Sequence, residues 1–171
     1  SAWWGSAEST WLSPLEFSLN DDGSVTFKLP EIHSAGMIYL LPSYAPMVGL
    51  KVAGAGASAE NDPYTAQFKP GDDFSVTVQI VNPMVESLPE GSIRLQTLTD
   101  WQVSEAQAVK PLAPGKFREY TFHVKIPAES PMFRPNFAYP LVVTLENNGK
   151  RTAVANAIVI LKLDTREYDH L

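Results

Sequence analysis

The sequence predicts an all-β fold, a sandwich of antiparallel sheets, and three observations carry that prediction. In residues 72–83, DDFSVTVQIVNP, the side chains of Phe74, Val76, Val78 and Ile80 share one parity while Ser75, Thr77 and Gln79 take the other. This is the period-two mark of a strand with one buried face. Residues 116–127, KFREYTFHVKIP, repeat it, with Tyr120, Phe122, Val124 and Ile126 alternating against Glu119, Thr121, His123 and Lys125. Each run has a face for a core and a face for water, and two such faces are expected to close on each other. Finally, the 14 prolines and 10 glycines of the 171 residues interrupt every longer stretch before three turns of helical period develop.

Taken in order, residues 1–14 hold Trp3, Trp4 and Trp11 among Ser, Ala and Gly, with no clear period. Large indoles are usually buried, so packing against a neighbouring module or the underside of a sheet is expected; the competing reading is a sugar-stacking platform. In residues 15–29, Leu15, Phe17 and Leu19, then Val25, Phe27 and Leu29, alternate with polar positions around Asn20, Asp21, Asp22 and Gly23. That is a hairpin. Its three polar turn side chains invite a Ca²⁺ ion, but the later acidic ligands of a calcium loop are missing, and a metal-free turn is expected. Residues 35–41, AGMIYLL, read as a buried strand that Pro42 ends.

Residues 50–60, LKVAGAGASAE, begin as a strand and run into small residues. GAGAS lacks the Lys-Ser/Thr of a phosphate cradle, so a linker or edge strand is expected. Turns follow at residues 61–63 and at Lys69, Pro70, Gly71 and Asp72, the second launching the first organising strand. Ile93, Leu95 and Thr97 mark a further strand, Trp101 follows it, and residues 112–115, Leu-Ala-Pro-Gly, turn into the second organising strand. Residues 139–146, YPLVVTLE, stop at Asn147, Asn148 and Gly149, a type I′ hairpin signal. The return strand spans 151–163, with Ala153, Ala155, Ala157, Val159 and Leu161 on one parity. About seven strands from residue 48 onward, with three before, fit the spacing of an immunoglobulin-like sandwich.

Composition excludes several functions. The net charge is −6 with no Lys/Arg-rich block, so neither nucleic acid nor anionic lipid is an expected partner. No cysteine is present, which removes disulfides, thiol catalysis and thiolate metal sites. No apolar stretch is long enough for membrane insertion as a helix, and SAWWGSAEST lacks the basic end and apolar centre of a signal peptide. A first residue of Ser fits a segment of a longer protein. His33, His123 and His170 lie far apart, and no Gly-x-Ser-x-Gly string occurs. No catalytic residue, metal site or cofactor is therefore expected. Asp72, Asp73 and Asp100 read as turn formers. Trp101 reads as a core anchor, with sugar stacking as the alternative, to which Tyr44, Tyr64 and Tyr139 are able to add.

The series KPGDDFSVTVQIVNP, SIRLQTLTDWQV and VKPLAPGKFREYTFHVKIP, within residues 48–163, resembles the NPCBM-associated, alpha-galactosidase-type immunoglobulin-like domain of extracellular bacterial multidomain proteins. In that family a Pro-Gly turn starts a strand ending in Asn, a Trp follows the third strand, and a Leu-Ala-Pro-Gly turn precedes a strand ending in Pro. Asn82, Trp101, residues 112–115 and Pro127 match, whereas Asp100 stands where the family usually has Gly. The preceding GSVTFKLPEIHSAGMIYL is similar to the closing strands of C-terminal β-sandwich domains of bacterial glycoside hydrolases.

These resemblances imply residues 1–43 as the end of a preceding β module or an N-terminal extension, 44–163 as the sandwich, and 164–171 as a tail. They imply a non-catalytic spacer in a secreted bacterial carbohydrate-active protein, extracellular, cell-surface or periplasmic, whose partners are adjacent domains of the same polypeptide. One alternative is a carbohydrate-binding module that holds a polysaccharide on Trp3, Trp4, Trp11 and Trp101, and a third reading is a fragment of a glycoside hydrolase that retains part of an active site.

Overall fold

The two organising runs lie side by side in one sheet. The computed structural model describes residues 2–6, 12–30, 35–40, 45–53, 65–97, 100–134 and 137–161, and every regular element among them is a strand. Strands β1 (Ala2–Ser6), β2 (Leu12–Pro14), β3 (Phe17–Leu19), β4 (Val25–Phe27) and β5 (Gly36–Leu40) precede the sandwich. The sandwich consists of β6 (Met47–Ala53), β7 (Thr65–Phe68), β8 (Asp73–Val81), β9 (Gly91–Thr97), β10 (Gln102–Val103), β11 (Gln107–Val109), β12 (Phe117–Lys125), β13 (Ala138–Asn147) and β14 (Lys150–Leu161).

One sheet has the order β10-β12-β8-β6 and the other β11-β9-β13-β14-β7. All neighbours in the two are antiparallel except β14 and β7, which run parallel. This is an immunoglobulin-like antiparallel sandwich. Phe122 of β12 stands opposite Val76 of β8, so these apolar faces do not close on each other as expected from their parity. Parity gives the face of a strand but not its neighbour. The opposing layer is supplied by Ile93 and Leu95, by Leu141, Val143 and Leu145, and by Ala157, Val159 and Leu161, all buried.

Turn chemistry fixes the registers. Gly71, at φ 89°, takes the left-handed position after Pro70, and its N–H donates to the carbonyl of Pro127 at 3.1 Å. The β13–β14 hairpin turns on Asn148 and Gly149, at φ 51° and 71°, the type I′ geometry that Asn-Gly favours. At Gly91 the backbones crowd: a Cβ there would overlap the carbonyl oxygen of Glu146 and the side chain of Asn147. Asn147 uses that proximity, its amide donating to the carbonyl of Pro89 at 2.9 Å while its oxygen accepts from the Thr152 hydroxyl at 2.7 Å.

The N-terminal strands make a separate three-stranded sheet, β2-β1-β5, and a hairpin, β3-β4. The hairpin pairs Phe17 with Phe27 and Leu19 with Val25 around the expected turn. The expected burial of residues 35–41 does not hold: β5 stands at the end of its sheet, leaving Met37 59% and Leu40 68% exposed. Residues 1–14, which show no period, supply β1 and β2, and β7 was not legible either. Nine strands from Met47 and five before it are found among the described residues, the excess over expectation coming from short pieces of two to five residues.

Candidate functional site

Trp101 sits in the loop after β9, between the two sheets. Its ring stacks on Tyr139 at 5.4 Å and meets Phe74 edge-on at 6.2 Å, and Phe74 in turn stacks on Phe68 at 4.3 Å. The Tyr139 hydroxyl accepts the N–H of Arg134 at 2.8 Å and donates to the carbonyl of Met132 at 3.2 Å. A tyrosine tied back to the preceding loop is a corner device of immunoglobulin-like sandwiches. The cluster plugs one end of the core, leaving Trp101 5% and Tyr139 2% exposed.

The two consecutive tryptophans of β1 point to opposite faces, as strand geometry requires. Trp3 turns toward the four-stranded sheet of the sandwich, meets Phe117 edge-on at 6.2 Å and is 1% exposed. On the same side the N–H of Leu12 donates to the side-chain oxygen of Gln79 at 3.3 Å. Gln79 lies on the outward parity of β8 yet is buried, as expected of a polar side chain under a docked element. Trp4 faces the other way, into a small core with Ala2, Leu15, Phe27 and Ile38, its ring lying where a Cβ on Gly36 would be.

Trp3, Trp4 and Trp101 are each 9% exposed or less, in keeping with the packing expected of them rather than with the competing sugar-stacking reading. A pyranose needs an open ring face, and here the rings pack instead against Phe117, Gly36, Phe74 and Tyr139. Trp11, with Tyr44, Tyr64, His33 and His170, lies outside the described residues.

A polar feature that the fold assembles is a shallow depression of about 540 Å³ on the four-stranded sheet, lined by Asp73 and Ser75 of β8, Gln102 of β10, Ser104 just after it, and His123 and Lys125 of β12. His123 is exposed, and its Nδ1 lies 3.2 Å from the hydroxyl oxygen of Ser75, directly opposite in register. On its other side Ser104 binds the backbone of His123, its hydroxyl oxygen accepting the His123 N–H at 2.6 Å. Asp73 and Lys125 form the next cross-strand pair on that face.

Hydroxyls, an imidazole, an amide and one charge of each sign hydrogen-bond polar ligands. A nucleophile–base pair requires a third group that orients the base, and the contact the His123 ring makes here is to Ser75. Among the described residues, no three His, Asp or Glu side chains come together as a metal site would need. Sequence reasoning had His123 as an exposed strand residue but missed its partners, because their juxtaposition depends on the β8–β12 register.

No family model matches the chain, and no curated protein matches it. Among solved structures it is similar to the sporulation control protein Spo0M from Bacillus subtilis, at 14% identity and TM-score 0.45, over 70% of this chain and 50% of that one. It thus spans half the length of that protein chain. A CARDB domain from Pyrococcus furiosus, crystallised with di-metal ions, is similar at 13% identity and TM-score 0.41, over 71% of this chain and 100% of that domain. A family 123 glycoside hydrolase from Clostridium perfringens is similar at 7% identity and TM-score 0.38, over 68% of this chain and 27% of that one. At such identities and TM-scores these likenesses bear on neither a substrate nor a site.

Proposed function

We propose that this chain is a non-catalytic, immunoglobulin-like accessory module that holds neighbouring domains of the same polypeptide at a set distance and angle. The observation that carries the reading is the seat of the N-terminal strands on the sandwich. Trp3 is buried against Phe117, and the N–H of Leu12 is held by Gln79. A junction made of a buried tryptophan set edge-on to a phenylalanine and a hydrogen bond to a buried side chain resists bending, whereas a solvated linker does not. Positioning is the task such a junction suits.

The resemblance of residues 48–163 to a domain of extracellular bacterial multidomain proteins supports a parent protein that acts on carbohydrate, outside the bacterial cell, at its surface or in the periplasm. Against the carbohydrate-binding alternative stands the burial of three of its four tryptophans, Trp3, Trp4 and Trp101. A glycan array combined with a glycoside hydrolase screen on the isolated chain tests the reading: neither binding nor turnover is expected. Specific glycan binding at micromolar strength, or any turnover, overturns it.

A further inference from the structure

Asparagine is a chemically labile side chain, because the backbone nitrogen of the following residue can attack its amide carbon. The described asparagines differ in whether the fold allows this. Asn82 precedes Pro83, which has no N–H to give up. Asn147 is buried, its amide and its oxygen engaged by Pro89 and Thr152. The amide of Asn20 is held by the hydroxyls of Ser24 and Thr26, at 2.8 and 3.0 Å. Asn156 lies mid-strand in β14, opposite Val142, where the extended ladder fixes the backbone.

Asn148 differs from the others in each respect. It is exposed, and it precedes Gly149, which is exposed too and has nothing within 4 Å of the place a Cβ would take. The β13–β14 ladder closes with Asn147 opposite Lys150, so the N–H of Gly149 belongs to the two-residue turn and is not one of the ladder's donors. From this geometry we infer that Asn148 is a site of spontaneous deamidation in the folded protein, with the Gly149 nitrogen as nucleophile and water as the second reactant.

The Gly149 N–H gives its proton to hydroxide, and the nitrogen attacks Cγ of Asn148. The new N–Cγ bond closes a succinimide ring. The Cγ–Nδ2 bond breaks, and Nδ2 takes a proton from water and leaves as ammonia, which regenerates the hydroxide. Water then opens the ring at one of its two carbonyls, giving aspartate or isoaspartate. The approach needs rotation of the Asn148 backbone, which the open space at the turn and the freedom of glycine permit. Isoaspartate adds a methylene to the main chain between Asn147 and Lys150, for which a two-residue turn has no place. Either product adds a negative charge to a chain that already carries −6.

The test is to hold the folded chain at mildly alkaline pH and body temperature for weeks and follow the turn peptide by mass spectrometry, with electron-transfer fragmentation to separate isoaspartate from aspartate. Asn148 is expected to convert while Asn20, Asn82, Asn147 and Asn156 stay intact, at a rate that rises with hydroxide concentration and with isoaspartate as the larger product. G149A, whose added methyl crowds the attacking nitrogen, is expected to slow the conversion severalfold. An Asn148 that stays intact overturns the inference, as does a G149A chain that converts as fast as the wild type. Should G149A fail to fold, the wild-type chain unfolded in urea is read in its place: conversion confined to the unfolded chain overturns the inference, and conversion in the folded chain as well supports it.

Discussion

The side-chain amide of Asn82 donates to the carbonyl of Leu112 at 2.7 Å, joining the end of one organising strand to the turn that launches the other. The same amide donates to the carbonyl of Glu86 at 2.9 Å, and its oxygen accepts the N–H of Met84 at 3.1 Å. The backbone of Asn82 is bonded too, to Lys116 at 2.9 Å and Gly115 at 2.8 Å. A fully buried side chain thus satisfies three backbone groups on two loops. Asn82→Ala removes all three of these bonds, leaving the Leu112 carbonyl only its bond from the Leu88 N–H, and is expected to cost about 2–3 kcal/mol. Asn82→Asp, which turns an oxygen toward two carbonyls, is expected to cost more. Urea denaturation measures both, and an unshifted midpoint for N82A would remove the residue from this role.

Gly91 and Gly149 separate two reasons for glycine. At Gly91 the obstacle is backbone, the carbonyl of Glu146, so Gly91→Ala must push β9 and β13 apart and is expected to cost about 2–3 kcal/mol. At Gly149 the space is open and only the positive φ opposes a side chain, so Gly149→Ala is expected to cost about 1 kcal/mol. Thermal unfolding of the pair checks the order; a reversed order refutes the packing account.

Trp3 and Phe117 should be energetically coupled. A double-mutant cycle to alanine is expected to give about 0.5–1.5 kcal/mol. In Trp3→Ala, hydrogen exchange is expected to quicken through β1 and β5 while β8 and β12 stay protected. Unchanged exchange in β1 would mean that the N-terminal sheet is held by other contacts.

In the exposed β3–β4 turn, a hydrogen bond from the Ser24 side chain and a second from the Ser24 N–H, at 2.9 Å, hold the Asp22 carboxyl below its ordinary pKa. A depressed folded value means that the carboxylate supports the turn above the unfolded pKa and ceases to as pH falls through the folded one. A side-chain carboxyl NMR titration should place the Asp22 midpoint below that of an unstructured peptide, and Ser24→Ala should raise it. Coincident midpoints in the two proteins would refute the assignment.

The sandwich strands were legible wherever one face meets the core and the other meets water, as in β8, β12 and the later part of β14. Pairing was not legible, because Phe122 carries the same parity whether its neighbour is Val76 or a residue of the other sheet. β5 misled because Met37, Ile38 and Leu40 have the composition of a core strand while their sheet leaves two of them in solvent. The tryptophans were ambiguous for a related reason: an indole is as suited to a buried contact as to a sugar, and the choice depends on Phe117, Gly36 and Tyr139, which lie far away in sequence. The motifs Asn82, residues 112–115, Pro70-Gly71 and Pro127 were visible one by one. That they bond in two pairs, Asn82 with the Leu112 and Gly115 turn and Gly71 with Pro127, needed coordinates.

The parallel ladder between β7 and β14, Thr65 opposite Ile158 through Phe68 opposite Leu161, decides how a stretched molecule would yield. Tension that enters before Thr65 and leaves after Leu161 drags these neighbours along their axes in opposite directions. Their hydrogen bonds then share the load and must rupture together rather than peel off one at a time, which makes this short ladder the mechanical fuse of the domain.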